Sequence, residues 1–291
     1  MTTTTAATAV PRRRRRARSA GGRGKPLSYL LLAAVLASSV FPLYWTFVVA
    51  SSDNSAIGEA TPPLVPGGNL MENISRVFDS SEFSLALMNS AIVATTVAVG
   101  NVFFSALAGF AFARLRFRGR NALLVTVVAT MMVPTQLGII PLYLLTTELG
   151  WTGHLQALIV PALVSAFGVF WMRQAVDETV PTELVEAAMM DGCSLVRIFW
   201  HVALPAIRPA AAVLGLFTFM GAWNDFFWPL VVLNPENPTV QVALSVLASG
   251  YYTDYALMLT GALLGVLPVL AVFLLLARQI VGGIMAGAVK G

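Results

Sequence analysis

Six stretches of the chain are apolar almost without interruption, and most of the charge falls between them. They cover about 27–50, 85–113, 121–145, 155–172, 209–233 and 256–277. Crossing the hydrocarbon core of a bilayer takes about 20 mostly apolar residues at 1.5 Å of rise each. Most of the stretches reach that length, with the fourth the shortest and the fifth the least clean. The pattern predicts an all-α, polytopic membrane protein of six transmembrane helices. Prolines 42, 134, 141 and 268 fall inside these stretches and are expected to kink their helices, because each frees a backbone carbonyl. Gly261 and Gly265 are four apart in the last stretch and permit close helix approach.

The polar intervals set the orientation. If the N-terminus is inside, that side holds Arg12–Arg16, Arg18, Arg23 and Lys25. Arg114, Arg116, Arg118 and Arg120 follow between spans two and three, and Arg173, Arg197 and Arg208 between spans four and five. Arg278 and Lys290 come last. Seventeen of the 18 basic residues then share one side and only Arg76 lies on the other, so both termini are expected in the cytoplasm. The basic run before the first stretch resembles a signal peptide. However, that stretch is about 24 residues long, contains Pro42 and Trp45, and offers only a weak cleavage site at Val49-Ala50-Ser51. A retained first span is expected, with residues 1–24 as a disordered Arg-rich cytoplasmic tail and 25–291 as the transmembrane domain. Asn73-Ile74-Ser75 matches a glycosylation sequon, a pattern too common to act on.

Composition agrees and excludes much. Hydrophobic residues are 57% of the 291 and charged residues 11%, against about a quarter charged in soluble domains. One cysteine, Cys193, allows no intrachain disulfide, and His154 and His201 lack metal-ligand spacing, so no metal site is expected. Gly24-Lys25 runs into Pro26 without the rest of a phosphate-binding loop, so ATP is not expected on this chain. Nothing points to nucleic acid, and no cluster of acids or histidines suggests a membrane-embedded enzyme.

The informative interval is 173–208. Pro181 to Gly192 reads as a short amphipathic helix, with Glu183 at the positive end of its dipole and Gly192 as a left-handed stop. Ser194 can cap a second helix, Leu195 to Val202, that ends before Pro205. Ala187 and Ala188 keep the first helix thin enough for a partner's groove. Spacing alone fits a solvated re-entrant loop equally well.

Glu186-Ala187-Ala188, three residues, Gly192, nine residues, then Val202-Ala203-Leu204-Pro205 resembles the EAA signature of binding-protein-dependent ABC importer permeases, with Val202 in place of Ile. Met88-Asn89-Ser90, Trp223 through Leu230 and the terminal Ala286 to Gly291 are similar to the carbohydrate-uptake branch, in particular its maltose-type second permease subunit. The resemblance implies a bacterial inner-membrane permease subunit that works with a second permease, two ATPase subunits carrying ATP and magnesium, and an extracytoplasmic sugar-binding protein. It implies that the loop 182–205 couples to the ATPase through Glu186, Ala187, Ala188, Asp191 and Gly192, with Leu204 and Pro205 fixing the elbow. Lys290 in the tail is a further candidate ATPase contact.

For the solute, Trp223, Asn224 and Asp225 combine a stacking face with amide and carboxylate groups suited to hydroxyls. Asp225 lies 16 residues past Pro209, roughly 24 Å along a helix. The same three fit an interfacial aromatic belt with a polar cap. Asn89 and Gln136 are further pathway candidates. No basic residue falls inside a predicted span, which favours a neutral di- or oligosaccharide. A phosphorylated polyol such as glycerol phosphate is the alternative within the class, and an ion-coupled secondary transporter the alternative outside it.

Overall fold

A computed structural model describes residues 26–57, 63–80, 82–249 and 254–288. The tail 1–24 and Lys290 lie outside them. Fourteen α-helices follow in the described residues: α1 (Pro26–Ala50), α2 (Leu70–Ser80), α3 (Phe83–Arg114), α4 (Arg120–Thr130), α5 (Ile139–Glu148), α6 (Gln156–Ala162), α7 (Ala166–Thr179), α8 (Thr182–Met190), α9 (Leu195–Ile198), α10 (Leu204–Ala206), α11 (Arg208–Asn224), α12 (Phe227–Val232), α13 (Val240–Leu247) and α14 (Tyr255–Ala288). Short 3₁₀ turns cover Asn54–Ile57 and Thr135–Gly138, and a π turn covers Phe199–Ala203.

Three helices are long and apolar enough to cross a membrane alone: α1, α3 and Tyr255–Gln279 of α14. The count reaches six if each of three bent pairs is one span. Residues 26–44 of α1 form a compact unit separate from 45–291. That segment is apolar and exposed along its length.

Of the four proline kinks expected, the one at Pro134 is present; spans four and five break elsewhere, and each break has a local cause. Span three bends by 93° between α4 and the segment 135–148. Pro134 stands at that break; it donates no N–H and biases Val133 away from helical backbone. Span four bends by 41° at Leu163–Ser165, where extended Ser165 accepts the Gly168 N–H at 3.0 Å and starts α7 afresh. Span five stops at Asn224, because Asp225 is extended and its Oδ1 accepts the Trp228 N–H at 3.5 Å to begin α12. By contrast, helices α1 and α14 continue through Pro42 and Pro268, and Pro141 sits harmlessly in the first turn of α5.

Helix α3 is the axis of the 45–291 unit, and α7 and α11 are its main neighbours. Its apolar residues enter three buried clusters. One joins Ala106 and Phe110 to Met172, Val176, Val185, Phe199 and Ile207. A second joins Phe83 and Ala94 to Phe219, Trp223 and Val240, and a third joins Val93 and Val97 to Ala157 and Val232. The buried polar groups on α3 are paired: Asn101 donates to Ala162 O at 3.2 Å and accepts from Ser165 Oγ at 3.2 Å. That amide braces the bend in span four.

Gly261 and Gly265 let α14 approach α13, a helix not anticipated from the sequence. A Cβ at Gly261 would lie 2.8 Å from Leu244 Cδ2, and one at Gly265 3.2 Å from Val240 Cγ1. At the Tyr255 end of α14, Asn73 is buried; it donates to Ala50 O (2.9 Å) and Ser52 O (3.0 Å) and accepts from Arg76. The sequon asparagine is therefore a clasp in this fold. Arg76 also ion-pairs with Asp254.

Candidate functional site

The elbow is built from local backbone chemistry. Helix α7 ends at extended Val180, and Pro181 occupies the cap position ahead of α8 rather than its first turn. Gly192 has φ +78°, with Gly192 N donating to Met189 O and Cys193 N to Ala188 O, both at 3.0 Å. This pair is a Schellman stop. Nothing lies within 4 Å of a Cβ built there, so the backbone angle and not space demands glycine. Ser194 then accepts the Arg197 N–H at 3.3 Å as an N-cap.

The second helix does not end before Pro205. It passes through the Phe199–Ala203 π turn and runs to Ala206, and the 78° bend into α11 comes at Ile207. The wider turn reorganises the backbone bonding just ahead of the proline, so Pro205 is accommodated instead of terminating the helix. Leu204 packs against the buried cluster and Pro205 is exposed.

The two faces of α8 differ sharply. Val185 and Ala188 turn inward onto the cluster of Phe110, Ile198 and Phe199. Half a turn away stand Glu183, Glu186, Ala187 and Met190, all exposed, with Met190 at 88%. Asp191 is exposed at the C-cap, where a carboxylate opposes the helix dipole.

The root of the elbow is held by a residue the sequence reading used only for topology. Arg114, the last residue of α3, has a side chain only 7% exposed. Its Nε donates to Val180 O at 2.7 Å, Nη2 to Val176 O at 3.0 Å and Asp177 O at 3.2 Å, and Nη1 to Asp177 Oδ1 at 2.8 Å. One guanidinium thus gathers three carbonyls at the end of α7: those of Asp177 and Val180, and that of Val176, which also accepts the Val180 N–H. Arg173 reaches the other Asp177 oxygen at 2.7 Å. Farther out, Arg116 meets Glu186 at 3.5 Å, with both side chains largely exposed.

The pathway candidates separate into two groups. Trp223 is 1% exposed, stacks on Phe219 and donates its indole N–H to Gly265 O at 3.0 Å. Asn89 is equally enclosed, donating to Asn237 Oδ1 (2.7 Å) and Pro238 O (2.9 Å). Both serve as framework here, so neither presents a free face to a solute. Gln136 and Asn224 are exposed and Asp225 is half-buried, each at a break in a span. Gln241, which the sequence reading passed over, donates to Asn224 Oδ1 at 3.3 Å.

A helical bundle with broken spans and a rooted, outward-facing elbow defines a membrane transport component. Comparison with known proteins agrees. Residues 101–281 match the family described as binding-protein-dependent transport system inner membrane component. The lactose transport system permease protein LacG of Rhizobium radiobacter is 35% identical, covering 90% of this chain and 94% of its own. The sn-glycerol-3-phosphate transport system permease protein UgpE of Yersinia pestis is 31% identical, covering 88% and 94%. In three dimensions the fold is similar to a chain of a bacterial ABC transporter involved in the import of the acidic polysaccharide alginate. The TM-score is 0.75 at 22% identity, over 87% of this chain and 95% of that one. The chain belongs to the binding-protein-dependent transport system inner membrane component family, whose members here are transport permeases and not enzymes.

Proposed function

We propose that this chain is one of two permease subunits of an ATP-driven importer of a neutral di- or oligosaccharide, with α8 seating in a cleft of a separate ATPase subunit. The N- and C-termini and the elbow lie on the cytoplasmic side in this reading, where the basic residues gather.

The observation that carries it is the elbow: an exposed Glu183–Glu186–Ala187–Met190 face on a helix whose root is clamped by Arg114. A solvated connector needs no such root. Asp191 does little for α8 itself and is available to a basic group on the ATPase. Closure of the ATPases would push α8, and the clamp would carry that push into α3 and α7 together. ATP and magnesium remain on the partner; Lys290 is an additional contact in this reading.

Solute contacts are assigned to Gln136, Asn224 and Asp225. Non-helical backbone at membrane depth is tolerated where it is enclosed by protein or lines a cavity, and broken helices mark binding sites in other transporters. Helix α12 packs against α5 and α6, so the breaks at Pro134 and Asp225 fall in neighbouring parts of the bundle. These groups are two amides and a carboxylate, suited to hydroxyls. A phosphorylated polyol is the second reading, favoured by the likeness to the glycerol-phosphate permease; it needs a cation from the partner permease.

The test is Ala187→Trp in the complete reconstituted transporter. ATPase association and solute uptake are expected to fall on the order of tenfold, as for loss of one interface anchor, with thermal stability unchanged. Unchanged association and uptake would remove α8 from the mechanism. Screening the transporter's binding protein against neutral oligosaccharides and glycerol phosphate separates the two solutes.

A further inference from the structure

A cleft of about 560 Å³ opens between α3, α11 and α14, at the end of the bundle that carries the elbow. Its walls are mostly apolar, with Val102, Ala211 and Ala212 among them, and Arg208 and Arg278 at its edge. Arg208 is the first residue of α11 and Arg278 lies in the last part of α14 whose side chains are described. The two helices run antiparallel, which brings the guanidinium groups to a similar depth.

Both arginines are exposed, and the ion pairs among the described residues lie elsewhere, on Arg76, Arg114, Arg116 and Arg173. Among the described residues, these two cations beside an apolar hollow have no counter-ion. The elements alongside complete the pattern. Leu270, Leu274 and Leu275 on α14 are exposed within the three turns before Arg278, and Phe217 is exposed on α11 beyond Arg208. An exposed apolar stripe along the last turns of α14 thus ends at two positive charges.

We infer that this cleft binds an anionic phospholipid, with its phosphate between Arg208 and Arg278 and its acyl chains along the exposed α14 stripe. The match is one of charge and polarity order together. A free phosphate would satisfy the arginines and leave the stripe bare, and a neutral lipid would do the reverse. Basic pockets between membrane helices at this depth take anionic headgroups by the same physics, each Arg near the surface contributing roughly a fivefold gain in affinity.

The experiment uses the complete transporter in nanodiscs of phosphatidylcholine containing a trace of photoactivatable phosphatidylglycerol. Cross-linked peptides are identified by mass spectrometry. Labelling is expected on the peptides carrying Ala211–Ala212 and Leu274–Gln279, stronger with phosphatidylglycerol than with the matching phosphatidylcholine probe. In the Arg208→Gln/Arg278→Gln double variant it should drop about thirtyfold. The charge-preserving Arg208→Lys/Arg278→Lys pair should retain most of it, which keeps the test readable if the first pair assembles poorly. Equal labelling by both lipids, labelling unaffected by the Gln pair, or displacement by millimolar inorganic phosphate would each overturn the assignment. So would a cross-link map showing the cleft filled by the second permease.

Discussion

The root and the tip of the elbow are made of opposite materials. At the root, Ile198, Phe199, Ala203 and Ile207 are buried, and Arg114 is enclosed by carbonyls and a carboxylate. At the tip, Glu183, Glu186, Ala187 and Met190 touch little of this chain. The elbow is thus anchored for its own fold at one end and left open at the other. Substitutions at the root should therefore cost stability, and substitutions at the tip should cost only association.

Phe199→Ala should be the most damaging change. Emptying a buried site packed against Phe110 and edge-on against Trp200 costs about 3–5 kcal/mol, read as a lower unfolding midpoint of the purified protein. Arg114→Met should follow at about 2 kcal/mol, because it takes the buried guanidinium away from Asp177, which keeps only Arg173, and leaves the Asp177 and Val180 carbonyls without their side-chain donor. A milder outcome at either site would mean that the root is not fixed.

How much of this was legible in the sequence depends on the range of the interaction. The Gly192 stop and the Ser194 cap are set by neighbours within five residues, and both stand where the pattern put them. The apolar stretches were legible because lipid selects composition along each span. The Arg114 clamp joins residues 62–66 positions apart, so a basic run after α3 read only as a topology signal. The setting of Trp223 was hidden for the same reason. An indole beside Asn224 and Asp225 looks like a sugar platform until α14 is seen covering it through Gly265. The π turn that carries the helix through Pro205 has no local marker apart from the proline, which argued for the opposite.

Gly192→Ala comes next in size. Forcing a Cβ into φ +78° costs roughly 1–2 kcal/mol and should loosen the turn, detectable as faster hydrogen exchange across 187–195. Equal exchange would show that the stop is not needed. Arg116→Gln should change stability by less than about 0.5 kcal/mol, since its contact with Glu186 is solvent-screened. A larger effect would move Arg116 from the tip to the root.

Cross-linking at the exposed face tests the coupling claim most directly. With Cys193→Ala removing the native thiol, Met190→Cys carries a single probe at the outermost point of α8, and the complete transporter is treated with a short bifunctional reagent through an ATP cycle. A cross-link to the ATPase subunit is expected, with a yield that changes between nucleotide-free and ATP-bound states. Absence of any ATPase adduct in both states, while Met190→Cys still transports, would contradict it.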